Sequence, residues 1–279
     1  MNRSARDIPY WLEMAEARAL ADTVSAVADL DGNSLGAQVD TTGDVVTFAL
    51  RSIDSGFFNR SIGFGSGRPA TEAGLRRILR VFREAGQTSF TVQVSPFARP
   101  SAIESWLESA GLRPGARWAK VWRDTIDPPA ERTSLRIEAI GPEHREGWNR
   151  VTLTAFELPD ALAPFGEATL GRSDWHHFLA FDGDQAVGAG ALYVMGDIGW
   201  LGFGATLASH RGQGSQSAIF ARRIRAAADL GVKLLITETG EELPDRPNPS
   251  YRNMIRAGFR LAYPRQNWLE PATTDAPEV

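Results

Sequence analysis

Cysteine is absent from the 279-residue sequence, and only four histidines and four methionines are present. The absence of cysteine excludes disulfide bonds, thiolate metal sites and a cysteine nucleophile. No uninterrupted apolar run approaches the roughly 20 residues that a membrane-spanning helix needs. The first residues also lack the apolar core of a signal peptide. We therefore expect a cytoplasmic protein without membrane association.

Neither sign of charge is in large excess. A formal net charge of -4 and a pI near 5.7 give no overall field that would attract nucleic acid. The 43% hydrophobic and 23% charged residues are ordinary for a soluble globular protein, and the length fits two domains of medium size. We expect no nucleic-acid partner, and either a monomer or a homodimer.

The most informative stretch runs from Trp200 to Gly231 and predicts a strand, a glycine loop and a long helix. Unpaired N–H groups and the helix dipole at such a helix start favour an anion. We therefore predict a phosphate-bearing ligand at Arg211–Gln216. An ordinary tight turn is the alternative that the loop alone leaves open.

The pattern of apolar residues predicts alternating strands and helices in both halves of the chain. In the first half, helices are predicted at 8–30, 71–85 and 101–110, and strands at 38–50, 57–64, 89–94 and 117–122. In the second half, before the loop, a strand is predicted at 135–140, a helix at 143–156, an irregular stretch at 157–173, and strands at 177–181, 186–194 and 198–207. After the loop helix come a strand at 233–237, a helix at 250–257 and a last strand at 259–268. Pro128-Pro129 marks a linker at 127–134.

Glycines occur at matching positions in the two halves of the sequence. Ile62-Gly63-Phe64-Gly65 matches Leu201-Gly202-Phe203-Gly204, and the Ala-Gly pair at 110–111 matches that at 257–258. The second copy is longer between its strand and the end of its helix, where it carries the glycine loop. We therefore interpret residues 1–126 as a degenerate copy without that loop and residues 135–279 as the complete domain. Chance similarity is the alternative.

Two motifs of the second half resemble those of the GNAT superfamily of N-acetyltransferases. The residues Arg211-Gly212-Gln213-Gly214-Ser215-Gln216 match its pattern Arg/Gln-x-x-Gly-x-Gly/Ala except at the last position. The second motif begins at Asn248 and ends with Gly258-Phe259. The resemblance implies an α/β (α+β) fold of two tandem GNAT-like domains, each a mixed, mostly antiparallel sheet flanked by helices.

The same resemblance implies acetyl-CoA, and so coenzyme A, as a cosubstrate and no metal. It places the coenzyme's diphosphate on the glycine loop and the acyl carbonyl beside a main-chain N–H at a break in the preceding strand, at about Gly204 to Leu207. The residues it assigns to the coenzyme are Ala205, Thr206, Leu207, Arg211, Gly212, Gln213, Gly214, Ser215, Gln216, Asn248, Ser250 and Asn253.

Catalytic groups are less clearly marked. Many family members carry a tyrosine where this sequence has Met254, so Tyr251 on the same short helix is the candidate acid. Glu238, at the end of the strand after the loop helix, is the first candidate base, and Glu157 and Asp160 are others.

Two groups of charged or polar side chains are not expected to hold a metal or to carry the chemistry. His176 and His177 are neighbours on a strand and face opposite ways, so they cannot both ligate one metal, and we expect structural or substrate-facing roles for them. Arg222, Arg223 and Arg225 are interpreted as a solvated helix face, with contact to the coenzyme's phosphates or to a partner as the alternative.

These residues favour an N-acetyltransferase that moves an acetyl group to a primary amine of a small molecule or peptide by direct attack. A catalytically inactive coenzyme A-binding or scaffolding protein is the first alternative, motivated by Met254 and by the loop-less first half. An NAD-dependent oxidoreductase is the second, because Gly212-x-Gly214 opens a helix and Glu238 could stand at the ribose-binding position.

Overall fold

The computed structural model describes residues 8–270 and contains two compact units. Unit 1 comprises the described residues up to Trp118 together with those from Tyr263 onward, and unit 2 comprises Ala119–Ala262. Within residues 8–270, none of the helices combines the length and the apolar character that crossing a bilayer requires.

Unit 1 is a mixed sheet with three helices. Its strands β1 and β2 and strands β2 and β3 pair antiparallel, whereas β3 and β4 pair parallel. The elements are α1 (Ile8–Ala28), β1 (Ala37–Thr42), β2 (Val45–Leu50), β3 (Arg60–Ile62), α2 (Glu72–Glu84), β4 (Thr91–Val94), α3 (Ile103–Ser109) and the first part of β5 (Arg113–Asp124).

Helix α2 shows why these local predictions succeed. The Thr71 hydroxyl caps the helix by accepting a hydrogen bond from the N–H of Gly74. Leu75, Ile78 and Phe82 recur at three- and four-residue steps and are buried in the core of unit 1. Phe82 stacks on Phe90 with ring centroids 4.4 Å apart.

A buried ionic network holds the end of the described chain in unit 1. Arg265 pairs with Glu13 at 3.0 Å and with Glu16 at 2.5 Å, and all three side chains are fully buried. Arg60 also pairs with Glu16 at 3.1 Å. The Tyr263 hydroxyl donates to Glu13 at 2.7 Å, and burial raises the pKa of this tyrosine well above its ordinary value.

The strands of unit 2 also combine antiparallel and parallel pairing. Strands β6 to β9 form an antiparallel meander, and β9 pairs parallel with β10. The elements are β6 (Arg136–Ile140), α4 (Arg145–Ala155), α5 (Ala163–Glu167), β7 (Trp175–Asp182), β8 (Gln185–Met195), β9 (Ile198–Thr206), α6 (Ser215–Asp229), β10 (Leu234–Gly240), α7 (Pro249–Arg256) and the start of β11 (Arg260–Leu269). Both units therefore have the mixed, mostly antiparallel sheet that was predicted.

The segment at 157–173 is more regular than predicted. It contains a 3-10 turn at Asp160–Leu162 followed directly by α5. Pro164 lies in the first turn of α5, where a missing N–H costs no intrahelical hydrogen bond. This proline therefore marks the start of a helix within the stretch that was predicted to be irregular.

The units divide the chain differently from the predicted boundary at 126 and 135. Residues 119–124 of β5 lie beside β10 in unit 2, whereas the last residues of β11 pair with β4 in unit 1. Each half of the sequence thus contributes residues to the other unit. The first half has the order α-β-β-β-α-β-α-β, and the second half has this order after an additional strand, β6, and an additional helix. The internal repeat stays a prediction. The predicted domains also begin and end at residues 1 and 279, outside the described residues.

The predicted linker at 127–134 is part of unit 2. The carboxylate of Glu131 accepts hydrogen bonds from Arg222 at 2.8 and 2.9 Å and from Arg225 at 2.6 Å. These bonds hold the pKa of Glu131 below its ordinary value, with Arg222 the larger cause. The prolines end β5 as expected, but the segment that follows packs on α6.

Candidate functional site

The site of unit 2 lies where β9 and β10 stop pairing. The two strands pair from Ile198–Leu234 to Trp200–Ile236, and each continues beyond the last pair. Beyond the last pair, the Thr237 hydroxyl of β10 donates to the carbonyl of Leu201 on β9 at 2.7 Å. Strand edges without a partner strand offer N–H and C=O groups to a ligand.

Strand β9 carries a β-bulge at this opening. Ala189 pairs with Ala205 and Ala191 with Gly202, so that Gly190 alone faces Phe203 and Gly204. Phe203 has a φ of 55°, which is uncommon for a bulky residue, and Gly204 is exposed. The predicted break near Gly204 is therefore present, and the left-handed residue is its neighbour.

The glycine loop leads from β9 into α6. A 3-10 turn at Ala208–His210 is followed by Gly212 and Gly214, whose φ angles are 81° and 83°. Gly214 caps α6 without a side chain, and the first helical hydrogen bond runs from the N–H of Ala218 to its carbonyl. The N–H groups of residues 215–217 therefore have no acceptor inside the helix. Together with the dipole of a 15-residue helix, this geometry fits a diphosphate.

The segment before β6 braces this loop. The Thr133 hydroxyl donates to the carbonyl of Gln213 at 2.7 Å. A Cβ on Gly214 would lie 2.5 Å from the carbonyl oxygen of Arg132, so a larger residue cannot enter without a shift. Thr133 was missed from the sequence, because a contact between residues 80 positions apart leaves no local pattern.

The two residues that open α6 are turned toward β9. Ser215 is buried, and its Oγ accepts a hydrogen bond from Thr206 at 3.4 Å. The Gln216 amide donates to the carbonyl of Ala205 at 2.6 Å and to the Thr206 hydroxyl at 3.0 Å. Gln216, which departs from the family pattern, thus ties the helix start to the strand.

The remaining coenzyme candidates of the loop differ in exposure. Arg211, Gly212 and Gln213 are exposed at the surface of the loop, whereas Ala205 and Leu207 are buried. The buried pair offers main-chain groups only.

Glu238 lies on β10, two residues beyond the last pair with β9. Its carboxylate accepts a hydrogen bond from Lys120 at 2.8 Å and from the Trp200 indole at 3.0 and 3.2 Å. The Glu238 and Lys120 side chains are 7% and 0% exposed. An adjacent cation favours the charged carboxylate, so a proton can be taken up only at the expense of this ion pair. Lys120 and Trp200 were not found from the sequence, since neither stands in a motif.

Asn248 fixes the start of α7 to the end of β10. Its side-chain oxygen caps the helix by accepting from the N–H groups of Ser250 and Tyr251, at 2.9 and 3.2 Å. Its amide donates to the carbonyl of Gly240 at 2.6 Å. The Ser250 side chain is exposed, and Asn253 accepts a hydrogen bond from Arg256.

The acid and base alternatives occupy different surroundings. Met254 is buried in the core of unit 2, and Tyr251 packs against that core while staying partly exposed. Glu157 and Asp160 are both exposed. Among residues 8–270, no contact favours one of these two carboxylates as a base.

His177 belongs to an aromatic cluster on the sheet. Its ring contacts Trp148 and Trp175 with centroid distances of 4.7 and 5.8 Å, and its Nε2 lies 3.0 Å from the Thr169 hydroxyl. Burial lowers the pKa of His177 to about 3, so the ring is neutral at pH 7. Phe203 of the bulge joins the same cluster. Within residues 8–270 no group of three or more metal-ligating side chains was found.

The prediction of a solvated arginine face on α6 is wrong for Arg223. Arg222 and Arg225 lie at the surface and bind Glu131, but Arg223 is 1% exposed. Its guanidinium donates to the carbonyls of Ala191 and Gly202, and burial lowers its pKa to about 9. The helical period that places Arg223 beside Ile219 and Phe220 was the signal that could have placed it inside.

No protein-family model and no curated protein matches the sequence, but solved structures match the fold. A GCN5-related N-acetyltransferase from Kribbella flavida superposes with a TM-score of 0.63 at 18% identity, covering 92% of this chain and 95% of its own. The chain has the fold of the GCN5-related N-acetyltransferases, the GNAT fold.

Two further structures show the GNAT fold over nearly the whole chain. A GCN5-related N-acetyltransferase from Sphaerobacter thermophilus has a TM-score of 0.57 and 17% identity, covering 97% of this chain and 95% of its own. A tandem GNAT protein from the clavulanic acid biosynthesis pathway has a TM-score of 0.59 and 15% identity, covering 93% of each chain. The predicted fold class is confirmed. Identities this low establish the fold alone, so the activity is argued from the site.

Proposed function

We propose that the protein is an acetyl-CoA-dependent N-acetyltransferase acting on a primary amine of a small molecule or peptide. The observation that carries this proposal is the open start of α6 beside the bulged, unpaired edge of β9. A helix start with free N–H groups binds phosphate oxygens, and a bulge can aim a main-chain N–H at a carbonyl oxygen.

The main chain supplies most of the proposed chemistry. The amides of the loop at 211–216 would hold the diphosphate, and an N–H near Gly204 would polarise the thioester carbonyl. The amine nitrogen then bonds to the acyl carbon, the carbon–sulfur bond breaks, and the thiolate takes up the proton that the nitrogen loses. The side chains of Gln216 and Thr206 hold the strand end against the helix start.

The amine must reach the carbonyl without its proton. A lysine-like amine has a pKa of about 10.4, so its neutral form at pH 7 costs roughly 4 to 5 kcal/mol. Glu238 can accept that proton if substrate binding displaces Lys120 from its carboxylate, and Tyr251 is the candidate donor to the leaving thiolate. A weakly basic amine would need no base.

A coenzyme A-binding protein without turnover is the second candidate. Met254 is buried where many GNAT proteins carry the tyrosine, and Glu238 is already paired with Lys120. Both observations favour an intact coenzyme site with weakened chemistry. The oxidoreductase alternative lacks such support, because β9 follows the antiparallel strands β6 to β8, whereas a dinucleotide-binding fold has its glycine loop after the first strand of a mostly parallel sheet.

Calorimetric titration of acetyl-CoA and of NADH onto the whole protein separates these candidates. We expect acetyl-CoA to bind and NADH not to bind. Thiol release is then followed over a panel of primary amines. Binding with turnover supports the acetyltransferase, and binding without turnover across the panel supports the second candidate. Absence of acetyl-CoA binding, beside a responding control acetyltransferase, would refute both.

A further inference from the structure

Arg223 of α6 is a buried cation that the proposed chemistry has not yet used. Its side chain is among the largest that the structure buries completely, and it lies 4.7 Å from the centre of the Phe220 ring. Burial is the cause of its lowered pKa of about 9, and no acidic side chain among the described residues offsets that lowering. The guanidinium nevertheless stays positively charged at pH 7.

The contacts of Arg223 are centred on the bulge of β9. One nitrogen, Nη1, donates to the carbonyl of Ala191 and to that of Gly202, each at 3.1 Å. Ala191 and Gly202 are the pair at which the ladder between β8 and β9 resumes next to the bulge. Arg223 therefore holds together the two strands at the position where the bulge weakens their pairing.

The guanidinium also lies close to the exposed residue of the bulge. A Cβ built on Gly204 would be 3.9 Å from Nη2 of Arg223. On the opposing strand, a Cβ on Gly190 would lie 2.9 Å from Cζ of the same arginine and 2.7 Å from Cγ2 of Ile219. The glycine at position 190 thus leaves the space that the Arg223 side chain fills.

Burying the Arg223 guanidinium in this way is energetically costly, which suggests that the charge serves a function. A buried cation without a carboxylate partner costs several kcal/mol, and hydrogen bonds to carbonyls offset only part of that. The Nε of Arg223 has no hydrogen-bond partner in the structure. An apolar side chain of similar volume would fill the space without this cost.

We propose that Arg223 is the positioning residue for acyl transfer: it fixes the bulge of β9 and places a positive charge behind the main-chain N–H that faces the acyl oxygen. This inference rests on the proposed function. When the amine attacks, negative charge develops on the thioester oxygen, and a fixed cation in a water-excluded site stabilises that charge more than the neutral ground state. The arginine thereby contributes to the transition state without touching the amine.

The test compares Arg223→Met, Arg223→Gln and Arg223→Lys with Arg76→Met, a control at an exposed arginine of α2. Acetyl-CoA labelled with 13C at the thioester carbonyl is bound to each protein, and the carbonyl stretching frequency is measured by isotope-edited infrared spectroscopy. We expect the wild type and the control to shift the frequency downward relative to free acetyl-CoA. The Met and Gln variants should lose most of that shift while their Kd for acetyl-CoA stays within about threefold. Turnover with an amine acceptor should fall about 10²-fold, with KM little changed.

An unchanged carbonyl shift in a folded Met or Gln variant would overturn the inference. If neither neutral variant folds, Arg223→Lys decides, because the shorter lysine side chain carries a compact ammonium that cannot reproduce the position and planar fork of the guanidinium. A Lys variant with the full wild-type shift also overturns it. Failure of the wild type to bind acetyl-CoA refutes the proposed function itself, which keeps the two failures distinct.

Discussion

Mild acid is expected to destabilise the protein through the buried His177. The ring packs between Trp148 and Trp175, and its lowered pKa of about 3 reflects the cost of charging it there. An unfolded histidine has a pKa near 6.5, so the unfolded chain takes up a proton that the folded chain refuses. Stability from this group is therefore complete above pH 6.5 and falls as the pH drops toward 3.

The loss of stability grows with the number of pH units below the pKa of the unfolded histidine. At about pH 4.5, two units below 6.5, the lost stability is about 2 to 3 kcal/mol relative to neutral pH. His176 adds to the wild-type slope in the same direction, because burial lowers its pKa too. The comparison must therefore isolate His177 by mutation.

Urea unfolding of wild type and His177→Phe at about pH 7 and pH 4.5 measures this contribution. Phenylalanine suits the aromatic cluster but loses the contact with Thr169, so only the change with pH is compared. We expect the wild type to lose about 2 to 3 kcal/mol more than the variant over this interval. Equal slopes for wild type and His177→Phe would refute the assignment of a neutral buried ring.

Three further perturbations test the site and the core. Gly214→Ala should weaken acetyl-CoA binding more than tenfold by calorimetry, because the new Cβ would lie 2.5 Å from a carbonyl oxygen. Gly212→Ala has open space around its Cβ and should cost only the strain of about 1–2 kcal/mol for its left-handed φ. Arg265→Met should lower the free energy of unfolding by about 3–5 kcal/mol, since it removes a shared partner of two buried carboxylates, whereas Arg77→Met, at an exposed pair, should lower it far less. Phe82→Ala should cost about 3–5 kcal/mol by urea unfolding, and a loss below about 1 kcal/mol would contradict the described core of unit 1.

Local sequence patterns were sufficient to predict most of the helices and strands and the position of the glycine loop. Helix α2 is specified by a threonine cap and a period of three to four, and the loop by two glycines with φ near 80°. Each of these signals acts within one or two helical turns. The sequence resemblance to GNAT proteins likewise rests on contiguous motifs, and the fold is the one that this resemblance implies.

The side chains that surround the candidate catalytic residues could not be predicted from the sequence. Glu238 was identified by its place at a strand end, but its partners Lys120 and Trp200 lie on other strands. Arg223 looked like a surface residue because arginine is rarely buried, and its two carbonyl partners come from β8 and β9. Side-chain pairing across strands depends on register, which no single segment encodes.

The sequence by itself determined the type and approximate position of most helices and strands, the position of the glycine loop and most of the apolar faces, because these depend on neighbours within a few residues. Tertiary structure alone decided that residues after Tyr263 complete the sheet of unit 1, that the segment around Thr133 braces the loop, and that Arg223 supports the bulge. In these cases the free energy comes from contacts between distant segments, whose partners exist only once the chain has folded.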